Sequence, residues 1–397
     1  MFTVLPRLRK AMRPLAALTA AGILAACDPI TTAGLGGASS NAGGAAIQVG
    51  APVPVALLVP KSDSGAAPVA NSLENAARLA MAELDGVEID LRVYDTSGQA
   101  AQAASVAQQA VDDGAKIILG PLFSEAANAA GAAVADENVN VLSFSNTTAI
   151  AGGNVFILGP TFANTADRLM AHARKQGKKR IVVVYSDDVP GQFGKLAIEQ
   201  AATVNGIQVV SSEGYQLSVP GVSAVAQKAA AAVSSGQADS IFITTDATNA
   251  AMPMLLNQLP ENGVTSGQVQ YVGLTRWDVR PDLFTLPGAE GAWFAIPDVQ
   301  RQEAFNQRYT STYGTAPHPL AGLAYDGISA IGLLAKRGKS DALTGKSLTS
   351  AGFTGTGGVF RLLNNGVNQR ALAVASIQNN QMVILDPAPS SLSGTGF

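Results

Sequence analysis

KIILGPLFSEAANAAGAAVADENVNVLSFSNTT, residues 116–148, contains the unit from which the fold is read. Two apolar runs of strand length, KIILG (116–120) and VNVLSFS (139–145), flank an alanine-rich stretch of helical length over 124–137. A strand buried on both faces is apolar throughout, and a helix between two such strands is the crossover of a parallel pair. Ser124 stands where a helix N-cap belongs. Upstream, PVALLVP (54–60) and EIDLRVYD (88–95) read as strands, with helices over 72–85 and 99–113. Downstream, strands over 180–186, 206–211, 239–245 and 268–275 are separated by helices near 163–176, 193–204, 221–235 and 249–259. This alternation predicts an α/β protein with two doubly wound lobes in preference to one large sheet.

The last third departs from the pattern. Residues 301–337 read as helical, with 321–335 apolar enough for burial, and 358–385 reads as strands turning at Asn364-Asn365-Gly366 and Asn379-Asn380. No short-period repeat is present.

The chain has 397 residues, a formal net charge of −3 and a single cysteine. That length suits two ordinary cores, no disulfide can form within one copy, and no nucleic-acid partner is expected, since the sequence shows no basic stripe to neutralise phosphates. Near the start, Arg7, Arg9, Lys10 and Arg13 precede an apolar run over 15–25 that is too short to span a bilayer. The run ends in Leu24-Ala25-Ala26-Cys27, which resembles a bacterial lipoprotein signal. The expectation is a signal peptide over 1–26 and a lipid anchor on Cys27, leaving 22 basic against 29 acidic residues. The alternative is a plain secretory signal with Cys27 as an unpaired thiol. Residues 27–50 are small and polar, a flexible linker between anchor and body, and 388–397 is a tail.

Four stretches, in this order and spacing, resemble the type I periplasmic binding proteins, the leucine-binding-protein family: VALLVP, IILGPLFS with NVLSFSNTT, LAYDGISAIGLLA (323–335) and GTGGVFRLLNNG (355–366). The resemblance implies two Rossmann-like lobes joined by three crossover strands around a ligand cleft. By analogy the first lobe is 51–160 plus 291–354 and the second 161–290 plus 355–387. In open α/β sheets, strand ends meet helix N-termini whose free N–H groups suit a carboxylate. Amino-acid receptors of this family bind the ligand carboxylate with a serine after the GPLFS-like turn and a threonine 23 residues later, which match Ser124 and Thr147, with Ser145 and Asn146 adjacent. Two matches depart from the pattern. The aromatic of the Gln192-Phe193-Gly194 motif is usually a tyrosine, and Phe193 lacks its hydroxyl. The acid that pairs with the ligand ammonium falls near Asn249 and Ala250, leaving Asp246 as a substitute unless it caps the next helix. A buried ammonium without a partner costs several kcal/mol.

GPLFSEAA, LSFSN, LTRWD (274–278), GAWFAIPD (291–298), LAYD and DPAP (386–389) are also similar to penicillin-binding protein activators, lipoproteins that use this bilobed fold to stimulate a peptidoglycan synthase. Those activators carry a further helical-repeat domain where this chain has only a linker. Trp277, just past a strand, is expected to wall the cleft or anchor a partner, or else to pack in the core. The missing ammonium partner favours the activator reading, with a synthase as partner. The alternative is a receptor for branched-chain or other amino acids serving an ABC importer permease.

No catalytic set is present. His172 and His318 have no companions at metal-ligand spacing, Gly345-Lys346-Ser347 lacks the earlier phosphate-loop glycine because position 340 is Ser340, and Asp187-Asp188 reads as a solvated loop. No enzymatic activity, metal or cofactor is expected.

Overall fold

The structure is a computed structural model describing residues 43–392, so Cys27 and the signal segment lie outside the described residues. Its first lobe opens with β1 (Val53–Val59), α1 (Ala67–Ala82), β2 (Ile89–Asp95), α2 (Ala100–Asp112), β3 (Ile117–Leu119), α3 (Ser124–Ala133), β4 (Asn140–Ser143) and β5 (Val155–Ile157). These strands form a parallel sheet in the order β2-β1-β3-β4-β5. Successive side chains of a strand point to opposite faces, and β1 uses both. Val55, Leu57 and Val59 join a core with α1, while Ala56 and Leu58 join another with α2 and α3. Each of these side chains is at most 1% exposed, which explains why the strand carries no polar alternation. Helix α1 starts at Ala67 rather than 72 because Pro68 occupies its first turn, where the missing N–H has no helical partner to lose.

The second lobe contains α4 (Phe162–Lys175), β6 (Arg180–Ser186), α5 (Val189–Asn205), β7 (Gln208–Tyr215), α6 (Val219–Ser234), β8 (Ser240–Ile243), α7 (Ala251–Glu261), β9 (Gln270–Gly273) and β10 (Trp293–Ile296). Beyond it come α8 (Val299–Tyr313), α9 (Ala321–Ala335), α10 (Gly345–Thr349), β11 (Gly352–Gly355), β12 (Gly358–Leu362), β13 (Asn368–Arg370), β14 (Ala373–Gln378) and β15 (Gln381–Asp386). The second sheet runs β15-β14-β10-β9-β8-β6-β7, with every strand in one direction except β14, which is antiparallel to both its neighbours, β10 and β15.

Two segments sit elsewhere than the analogy places them. Strand β10, at the head of the 291–354 range assigned to the first lobe, lies between β9 and β14 in the second sheet. All four of its residues are buried, as an interior strand requires. The strands over 358–370, assigned to the second lobe, form with β11 a separate antiparallel ribbon. Burial alternates along β12, and its apolar face presents Phe360 and Leu362 to the first lobe's core beside Phe353.

The chain passes between lobes after β5, after β10 and after β13. Side chains lace these crossings together. Asn368 Nδ2 donates to Ile157 O (2.9 Å) and Gly159 O (2.8 Å), and Asn164 Nδ2 donates to Asn368 O (3.1 Å). The Asp298 N–H donates to Gly357 O at 2.9 Å.

Candidate functional site

The loops after β3 and β4 meet at the carboxyl edge of the first sheet. Gly120 has φ +92°, and a Cβ there would lie 2.2 Å from Leu58 O, so only glycine fits. The Gly120–Pro121 bond that follows is cis. Pro121 O accepts from Ser143 Oγ (3.1 Å) and from the Phe144 N–H (3.0 Å), tying the two loops to each other. The Ser145 N–H donates to Ser143 Oγ and the Thr147 N–H to Ser145 Oγ, both at 3.1 Å. Ser143 and Ser145 are buried, so these bonds compete with little water and fix where Thr147 stands relative to Ser124.

These loops border a cavity of about 640 Å³ that gathers Ser124, Ser145, Asn146 and Thr147. Leu122, Phe144, Val69 and Leu320 supply apolar wall, and Asp63 lines it from the loop after β1. Ser124 is the first residue of α3 rather than its cap. Phe123 takes the N-cap position, and no side chain caps the helix. The first-turn N–H groups therefore lack both intrahelical and capping partners, and their partial positive charge suits an anion. The Ser124 hydroxyl, free of a capping bond, can join them.

The other three expected residues stand apart from this cavity. Phe193 is 51% exposed on α5 of the second lobe. Asp246 is exposed and turned back on its own loop, its Oδ1 accepting from the Thr248 N–H (2.8 Å) and Thr248 Oγ1 (2.6 Å). Neither lines this cavity or the one described next. Trp277 walls no cleft. It is fully buried in the second lobe's core, stacked on Phe294 with ring centroids 6.2 Å apart, because Gly273 leaves room for the indole. A Cβ on Gly273 would lie 2.3 Å from Trp277 Nε1.

A second cavity of about 340 Å³ lies where the lobes meet, bordered by Thr165, Leu274, Gln302, Leu323, Asp326 and Arg370 among others. It shares Pro160 and Leu320 with the first. Asp326, 1% exposed, pairs with Arg370 at 3.2 Å and accepts from the Thr356 N–H at 2.7 Å. Burial pushes its carboxyl up, against the pull of Arg370 and Thr356. Sequence reading missed Asp63, Leu320, Asp326 and Arg370. For Asp63 a signal existed, since it follows the first strand at the carboxyl edge where such sites form.

Among the described residues no group of three or more His, Cys, Asp or Glu side chains could hold a metal. His172 is buried in the second lobe, with Nδ1 3.4 Å from Asp386 Oδ2 and its ring edge-on to Trp293.

The sequence profile of the Periplasmic binding protein family matches residues 52–381. The chain belongs to this family. Solved structures share its two-lobed α/β fold. A Rhodospirillum rubrum protein described as a branched-chain amino acid ABC transporter has a TM-score of 0.73 at 19% identity, covering 84% of this chain and 100% of its own. The Desulfitobacterium hafniense ABC transporter substrate-binding protein, in complex with Leu, has a TM-score of 0.60 at 19% identity over 84% and 100% of the two chains. A Rhodopseudomonas palustris BisB5 solute-binding protein, in complex with 3,4-dihydroxybenzoic acid, reaches 0.54 at 19% identity over 85% and 98%. No curated protein sequence matches significantly. For a periplasmic binding protein, the expected type I fold holds, and the similarity to penicillin-binding protein activators has no counterpart in the matches named here.

Proposed function

We propose that this periplasmic binding protein is a non-enzymatic receptor that holds a small carboxylate ligand, an amino acid of the branched-chain or another class, and presents it to an ABC importer permease. The observation that carries this reading is the cavity joining the uncapped N-terminus of α3 with Ser124, Ser145, Asn146 and Thr147 under an apolar wall. The carboxylate would take the N–H groups and hydroxyls, and the side chain would take Leu122, Phe144 and Leu320. The solved neighbours described as amino-acid transport proteins, one holding leucine, add support. The activator reading loses its anchor, since Trp277 at 0% exposure has no surface to offer a synthase. Attachment to the membrane through Cys27 belongs to the same proposal, and a Cys27→Ser change should release the protein from the membrane fraction.

A thermal-shift titration against the standard amino acids and peptidoglycan-derived peptides tests the reading. Ligand at 100 times its dissociation constant adds about 2.7 kcal/mol, enough to raise the midpoint by several degrees. A saturable rise with one amino acid supports the receptor. A folded protein that no amino acid shifts would overturn it.

A further inference from the structure

An α-amino acid bound through its carboxylate at Ser124 still needs an acid for its ammonium group, and neither the acid expected from the sequence nor the one that borders the second cavity is free. Asp246 is exposed and engaged by Thr248, and Asp326 is committed to Arg370 and Thr356. Among the described residues, Asp63 is the one charged residue lining the first-lobe cavity. It follows β1, which pairs directly with β3 (Leu57 opposite Leu119), so its loop borders the one that carries Ser124.

The carboxylate of Asp63 is divided in its commitments. Oδ1 accepts from the N–H groups of Gly65 (3.0 Å) and Ala66 (2.9 Å), which fix its orientation. Oδ2 has no hydrogen-bond or ion-pair partner among the described residues. The nearby Lys61 turns instead to Glu74, at 2.6 Å. Gly98 keeps the space beside Oδ2 open, for a Cβ there would approach it to 2.8 Å. The side chain is half-buried, so a cation beside it is screened less than at an exposed surface. An acid already held in place by two backbone donors loses little freedom when a ligand arrives.

We propose that Asp63 is the residue that recognises the ligand's ammonium group, so that an apolar α-amino acid is gripped at both polar ends by the first lobe alone. The assignment rests on the receptor reading above, and it names the ligand class as zwitterionic with an apolar side chain seated against Val69, Leu122, Phe144 and Leu320.

Calorimetric titration of the protein with L-leucine and L-phenylalanine, and with their des-amino counterparts 4-methylpentanoate and 3-phenylpropanoate, separates the two claims. The assignment predicts that the parent protein prefers an amino acid to its des-amino partner by about 10- to 100-fold, the range for one hydrogen bond to a charged group. Asp63→Asn, which keeps an oxygen for Gly65 and Ala66, should lose that preference while its affinity for the des-amino acid stays the same. Asp63→Ser, also able to accept from the loop, should behave likewise if the Asn variant folds poorly. An Asn or Ser variant that binds the amino acid as tightly as the parent overturns the assignment. A parent that binds both members of a pair equally overturns it too while leaving the receptor reading intact, and a parent that binds none of the four overturns the assignment together with its ligand class.

Discussion

Arg370 Nη1 lies 3.2 Å from Asp326 Oδ2, and the same guanidinium donates through Nε to Leu158 O at 3.1 Å. Leu158 belongs to the first crossing between lobes and Arg370 to the approach to the third, so one buried ion pair ties two hinge segments to α9. Removing one partner leaves a buried charge uncompensated. Asp326→Ala should destabilise the protein by about 3–5 kcal/mol, measured by urea unfolding, and adding Arg370→Met should recover part of the loss.

The uncapped start of α3 separates stability from binding at Ser124. A true N-cap serine costs about 1 kcal/mol when changed to alanine, but here Phe123 holds the cap position and Ser124 makes no capping bond. Ser124→Ala should leave stability within about 0.5 kcal/mol of the parent in urea titrations. The same change should weaken ligand binding about 10- to 100-fold, the value of one hydrogen bond to a charged group.

Trp277 supports the second lobe's core. Its indole Nε1 is buried without a partner among the described residues, so Trp277→Phe discards an unpaired donor while keeping a ring against Phe294. Ligand affinity should be unchanged by that substitution. Trp277→Ala should cost about 3–5 kcal/mol in unfolding free energy. A large affinity loss in Trp277→Phe would place the residue in the cleft after all.

Much of the fold is legible in the chain because its strands are buried on both faces and its helices are alanine-rich. Arg180–Ser186 and Ala321–Ala335 coincide with the runs read from sequence, and the turns at Gly366, Asn379 and Asn380 have the positive φ expected of them. Strand β10 lies in the second sheet rather than in the lobe that the family analogy implies, because a boundary carried over by analogy does not specify which strands a four-residue buried run pairs with. Of the site, Ser124, Ser145, Asn146 and Thr147 share one cavity because their loops follow adjacent strands. Trp277 and Asp246 were not legible, since whether a side chain past a strand end turns outward or inward depends on partners such as Gly273 and Thr248 that spacing does not reveal.

Asp167 on α4 gives a pH-dependent signal. Burial pushes its carboxyl up to about 6 from the ordinary 3.8, with no partner among the described residues to offset it. A folded-state value above the unfolded one means the charged form burdens the fold above pH 6, and the burden lifts as pH falls toward 3.8. Asp167→Asn should therefore stabilise the protein by about 1–3 kcal/mol at pH 7.5, with the gain shrinking below pH 6 and gone by about pH 4. His172, whose own value is lowered by burial, loses stability as pH falls below its ordinary 6.5. Comparing parent and variant at each pH cancels that opposing contribution.

The central claim is that the cavity at Ser124 and Thr147 is the ligand site. Isothermal titration of the standard amino acids into the parent protein and into a Ser124→Ala/Thr147→Ala double variant tests it most directly. The account predicts one saturable site per chain for an apolar amino acid in the parent, and at least a tenfold higher dissociation constant, about 1.4 kcal/mol, in the folded double variant. Binding of equal strength in both proteins, or no binding of any amino acid by the parent, would contradict it.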